Sequence, residues 1–127
     1  MVSINQRIIS DGYNGTPHGF DNDCEFYTRF GSETKPEVLH AESNALTKLA
    51  KSTQSSTGAT VYITLSPCFD CAKLIIQAGV LRVVFSETYR NQEGIKFLRS
   101  NNVIAECVTV PEIRTISAVH DSCGYDC

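Results

Sequence analysis

Thr60-Val61-Tyr62-Ile63-Thr64-Leu65-Ser66-Pro67-Cys68-Phe69-Asp70-Cys71 is the stretch whose reading decides the fold of this chain. The first six residues are rich in β-branched types and read as a strand. Ser66 is a natural N-cap and Pro67 a natural first helical residue, so a helix is expected to start there. Cys68 and Cys71 then share one face of its first turn. The positive end of the helix dipole favours thiolates, the form that binds metals. Lys73 to Ala78 continues the helix, and Gly79 ends it as a C′ residue.

Working outward, Val80 to Phe85 is nearly all apolar, as a strand buried on both faces is. Ser86 to Gln92 is a loop, Glu93 to Ser100 a short helix with Ile95, Phe97 and Leu98 on its apolar side, and Val103 to Val110 another strand. From Pro111 the tail is weakly helical, with Ile113, Ile116 and Val119 in step. At the other end, Val2-Ser3-Ile4, Asn5-Gln6 and Arg7-Ile8-Ile9-Ser10 form a β-hairpin with a tight turn. Asp11 to Gly19 is dense in Gly, Asn and Pro and is a loop. Residues 20–36 are polar and aromatic without a period, which predicts a long surface loop over the molecule. Pro36-Glu37 opens a helix to about Lys51, with an apolar stripe of Leu39, Ala45, Leu46, Leu49 and Ala50. The order β-β-α-β-α-β-α-β predicts a mixed sheet with helices on both faces, its last three strands parallel through right-handed crossovers.

His40-Ala41-Glu42 lies at the start of that first long helix. Taken alone, His40 reads as a cap or a surface residue. The cysteine pair downstream changes that, because His, Cys and Cys are three of the four ligands of a tetrahedral Zn²⁺, and a water in the fourth position makes such a zinc catalytic. Glu42 falls inside the apolar stripe, where a carboxylate is costly without a partner. Proton transfer to and from that water is a role that satisfies it. His40 and Glu42 are two apart and share no helical face, so His40 must reach the metal from the first turn while Glu42 approaches from another side. In open α/β sheets, ligands sit outside the carboxyl ends of the strands. Tyr89, with Arg90 beside it, follows the neighbouring strand and should border the metal.

Bulk properties narrow the function. The chain has 127 residues, enough for one domain with its own core. Hydrophobic residues make up 42 % and charged residues 20 %, as in ordinary globular proteins. A net charge of −3 and a pI near 5.5 argue against tracking a nucleic-acid backbone and for a small substrate. No apolar run reaches the roughly 20 residues of a membrane span, and Met1-Val2-Ser3-Ile4 carries no secretory pattern. Six cysteines, two of them in Cys-x-x-Cys, then fit a reducing cytosol with a metal site better than a disulfide framework. Cys107, in an apolar strand, reads as a small core residue.

His-x-Glu followed by Pro-Cys-x-x-Cys is the signature of the zinc nucleobase deaminases. With Arg7-Ile8-Ile9-Ser10-Asp11-Gly12-Tyr13-Asn14-Gly15-Thr16-Pro17, His40-Ala41-Glu42-Ser43-Asn44-Ala45, Tyr62 to Lys73, and Glu87-Thr88-Tyr89, the chain resembles the deoxycytidylate (dCMP) deaminases of the zinc cytidine deaminase-like superfamily, in their phage-type form. The matching segments cover roughly residues 1–110 in order. The Gly-Tyr-Asn-Gly-Thr-Pro loop points to the dCMP branch in particular.

The resemblance implies a single domain over 1–127 with a three-layer α/β/α fold around a mixed five-stranded sheet. It implies hydrolysis of dCMP to dUMP, the thymidylate precursor, in the cytoplasm. One Zn²⁺ is held by His40, Cys68 and Cys71. Glu42 takes a proton from the metal's water, protonates N3 of the base and later the leaving ammonia. Asn14, Ser66 and Tyr89 contact the substrate. Gly12, Tyr13, Asn14 and Gly15 correspond to the region that binds regulatory nucleotides, dCTP as activator and dTTP with Mg²⁺ as inhibitor. Members are typically homohexamers. Two departures stand out: members usually carry a helix before the first strand, whereas this chain begins inside that strand. The loop from Gly15 to Leu39 offers only His18 and Cys24 toward the second, structural zinc that some phage members carry. Rival readings are a tRNA adenosine deaminase or another nucleoside or nucleotide deaminase with the same metal signature, and a structural zinc module in which Glu42 or Cys24 is the fourth ligand.

Overall fold

Asn5 and Gln6 both take positive φ, 50° and 64°. That is the handedness a two-residue turn needs if it is to match the right-handed twist of its strands. The turn closes β1 (Val2–Ile4) onto β2 (Arg7–Ser10) as expected. The structure is a computed structural model that describes residues 1–109. Along it follow β3 (Glu25–Thr28), β4 (Gly31–Thr34), α1 (Ala41–Ala50), β5 (Thr60–Leu65), α2 (Phe69–Gln77), β6 (Arg82–Glu87), α3 (Glu93–Ser100) and β7 (Ile104–Cys107). The expected tail beyond Pro111, with Cys123 and Cys127, lies outside the described residues.

The main sheet has five strands in the order β2-β1-β5-β6-β7. β1 runs antiparallel to β5, while β5, β6 and β7 are mutually parallel. This is the mixed five-stranded α/β sheet expected. Register aligns Val2 with Val61, Val61 with Val83, and Val83 with Ala105, so these four valine and alanine side chains share one face. Ala45 and Leu49 of α1, Ala72 and Ile75 of α2, and Ile95 and Leu98 of α3 pack with them in a single core. All three described helices therefore lie against that face. The opposite face carries Tyr62, Arg82, Ile104 and Glu106. Tyr62 and Ile104 stay exposed there, and Arg82 Nε meets Glu106 Oε1 at 2.8 Å. The second helical layer expected on this face is not among the described residues.

Several boundaries differ from the sequence reading. β6 is Arg82–Glu87 rather than Val80–Phe85, α2 starts at Phe69 rather than Pro67, and β7 is Ile104–Cys107, shorter than expected. Two further differences bear on the site. Residues 20–36 are not a plain loop, since β3 and β4 pair within them as an antiparallel hairpin turned at Gly31, φ 127°. Every residue of β4 is exposed, so no apolar alternation marked the strand. And α1 begins at Ala41 rather than Pro36, because Leu39 is held in a bridge: Gly15 N–H donates to Leu39 O at 3.1 Å and Leu39 N–H to Gly15 O at 2.7 Å.

The start of α3 presses on the Pro67–Cys68 turn that precedes α2. A Cβ on Gly94 would stand 2.1 Å from Pro67 O and 3.0 Å from Cys68 O, so only glycine lets the helix start press onto that turn. Gly94→Ala is expected to lower the unfolding free energy by about 1–3 kcal/mol, read as a lower urea midpoint; an unchanged midpoint would contradict this packing.

Candidate active site

The site is built from two helix N-termini. His40 is the N-cap of α1, with φ −69° and ψ 158°. Cys68, not Ser66, is the N-cap of α2, with φ −70° and ψ 170°, and its sulfur accepts the Cys71 N–H at 3.5 Å. A thiolate is a good acceptor for that otherwise unpaired donor. Because His40 stands outside the helix, the helical spacing rule does not separate it from Glu42, and both reach the same cleft. His40 thus stands one position ahead of the first helical turn, the place from which the sequence reading has it reach the metal.

His40 Nδ1 lies 3.3 Å from Cys71 Sγ and 3.5 Å from Cys68 Sγ, and the three ligand atoms all fall within 4.8 Å of one another. Ligands sharing a tetrahedral ion at about 2.0–2.3 Å stand roughly 3.4–3.8 Å apart, so this nitrogen and these two sulfurs fit zinc in chemistry and spacing. Among the described residues, this is the group of side chains that could hold a metal ion. Glu42 is not in it. Cys24, the fourth ligand required by a structural module, is not in it either; its thiol faces Asn22 O at 3.9 Å. Burial, and then the charge of Glu42, push the Cys71 thiol up, while a hydrogen bond from Ser43 pulls the other way. A buried thiol beside a carboxylate calls for a cation as its compensating partner.

Glu42 borders a cleft of about 430 Å³ at the carboxyl ends of β5 and β6, within the range of small-molecule sites. Asn14, Ser66 and Tyr89 line the same cleft, so the three expected substrate residues are brought together with Glu42 and His40. Arg90 is exposed and outside this lining. Asn14 Oδ1 accepts the Ala41 N–H at 3.0 Å, capping α1 from outside the chain's local sequence. Asn44 Nδ2 donates to Tyr13 O at 2.8 Å. A Cβ on Gly12 would meet Ala41 O at 2.6 Å and Ala45 N at 2.7 Å, so the loop backbone lies flat on the first turn of α1. The stretch Gly12–Gly15 is thus bonded to the helix that presents His40 and Glu42.

Three residues at this site were not marked by the sequence reading. Ser43 Oγ lies 3.7 Å from Cys71 Sγ; its place three residues after His40 was a usable signal. Thr34 reaches the cleft from the hairpin, and Met1 from the start of β1, where its ammonium donates to Tyr62 O at 3.0 Å. Neither carries a local pattern.

Residues 1–87 match the family described as the cytidine and deoxycytidylate deaminase zinc-binding region. The deoxycytidylate deaminase of Enterobacteria phage T4 is 35 % identical over 74 % of this chain and 69 % of its own length. That of phage T2 is 32 % identical over 98 % of this chain and 86 % of its own. The crystal structure of the dCMP deaminase of cyanophage S-TIM5, in complex with dCMP and dUMP, superposes with a TM-score of 0.78 at 46 % identity, covering 84 % of this chain and 77 % of that one. With the His-Cys-Cys cluster at the mouth of a mixed five-stranded sheet, these likenesses show that the chain belongs to the zinc-dependent cytidine and deoxycytidylate deaminase family.

Proposed function

We propose that this chain hydrolyses dCMP to dUMP and ammonia, supplying the thymidylate precursor, as a zinc enzyme of the cytoplasm. The observation that carries the reading is the arrangement of three convergent ligands, His40, Cys68 and Cys71, beside a carboxylate that is not one of them. The named activity of the phage relatives, and the dCMP and dUMP held by the cyanophage protein, support the choice of nucleotide.

When bound, zinc supplies a Lewis acid that lowers the pKa of water. The remaining work belongs to side chains. His40, Cys68 and Cys71 hold the ion. Glu42 accepts a proton from the attacking water and delivers it to N3 of the base, so that C4 takes up oxygen. It then carries the second proton to the departing amino group, which leaves as ammonia. One water is consumed and no redox partner is needed. Asn14, Ser66 and Tyr89 form the walls that hold the nucleotide against Glu42.

The proposal extends to regulation. Gly12, Tyr13, Asn14 and Gly15 form the effector loop, with dCTP activating and dTTP, together with Mg²⁺, inhibiting in a homohexamer. Its hydrogen bonds to the first turn of α1 offer a route from an effector to His40 and Glu42.

Glu42→Gln is expected to lower the turnover of dCMP by at least about a hundredfold while zinc content, by elemental analysis, stays near one per chain. Loss of zinc together with activity would favour a structural ion with Glu42 as ligand. Cys71→Ser, by contrast, should lose the metal. Addition of dTTP with Mg²⁺ should slow dCMP turnover and raise the melting temperature; if neither moves, regulation drops out of the account.

A further inference from the structure

Tyr89 sits in the short connection between the end of β6 at Glu87 and the start of α3 at Glu93, and a loop tyrosine has no intrinsic reason to hold one position at a cleft. The structure supplies one. Leu65 pairs with Glu87 as the last rung of the β5–β6 ladder, and Ser66 N–H donates to Glu87 O at 2.8 Å. In a parallel ladder the next bond runs from the N–H two residues further along β6, that of Tyr89, to the main-chain carbonyl of Ser66. Here Tyr89 N–H donates instead to Ser66 Oγ, at 2.8 Å. The hydroxyl takes the place of the carbonyl just where the chain turns away into Pro67 and Cys68. Ser66 is 1 % exposed and Thr88, between the two bonded residues, 7 %. The latch is therefore shielded from competing water.

We propose that Ser66 is a positioning residue. Its hydroxyl extends the ladder by one rung and sets Tyr89 against the nucleotide, and it ties that wall of the cleft to the turn carrying the metal ligand Cys68. This rests on the deaminase reading given above. It gives a reason for a serine at this position that does not depend on direct substrate contact, because the hydroxyl oxygen accepts the Tyr89 N–H.

The test uses the full, zinc-loaded chain in four forms: wild type, Ser66→Ala, Tyr89→Ala and the double variant. Ser66→Ala is expected to raise KM for dCMP about five- to tenfold, with a much smaller change in kcat and zinc still at one per chain. In the Tyr89→Ala background the serine substitution should add nothing. Without substrate, amide hydrogen exchange at Tyr89 should quicken about tenfold in Ser66→Ala, while exchange in α1 stays as in the wild type. Independent, multiplying effects on KM in the double variant would overturn the proposal. So would unaltered exchange at Tyr89, even if dCMP is turned over. A wild type that leaves dCMP untouched would sink the deaminase reading and the nucleotide role of the latch with it.

Discussion

Two helix starts are brought face to face at the carboxyl end of one sheet, and the rest of the site follows from that meeting. His40 and Cys68 occupy equivalent positions, each the N-cap of its helix, and Cys71 lies in the first turn of the second. Both helix dipoles turn their positive ends toward the same point, which favours thiolate sulfur. Burial and the Glu42 carboxylate act against it at Cys71. A soft cation held between the three ligands resolves the conflict, since it compensates both the thiolates and the nearby carboxylate.

Close approach of backbones makes this geometry possible. Gly12 lies on the first turn of α1, and Gly94 lies on the Pro67–Cys68 peptide; at either position a Cβ would overlap main-chain atoms. Each glycine sets the height of the helix start that carries a metal ligand. The Gly15–Leu39 clasp does a related job. It closes the base of the excursion that contains β3 and β4, so that Asn14 and His40 stay adjacent while the hairpin projects and returns Thr34 to the cleft. Insertions are tolerated at a base pinned in this way because the cost of closing a loop rises slowly with its length.

The local chemistry of the site was open to inspection in the amino-acid order. His40, Glu42, Cys68 and Cys71 stood out because soft ligands at the start of a helix, after a β-branched strand, have few other uses. β5 and α3 were legible to the residue, as each combines a clear apolar pattern with a clear stop. The β3–β4 hairpin was not, because a strand exposed on every residue has no hydrophobic period to read. The start of α1 was read five residues early, at Pro36 instead of Ala41, since Leu39 continues the helical stripe in sequence while its backbone is committed to Gly15.

Sequence by itself determined the fold class, the metal-binding donors and the carboxylate, because these depend on residue type and on spacing within one strand or one helix. Tertiary structure decided what depends on contacts between distant segments. It made Cys68 rather than Ser66 the helix cap, gave Asn14 the capping of α1 from 27 residues away, and turned the Ser66 hydroxyl into a rung holding Tyr89. A hydrogen bond between residues far apart in the chain leaves no period behind, so only the folded backbone could reveal it.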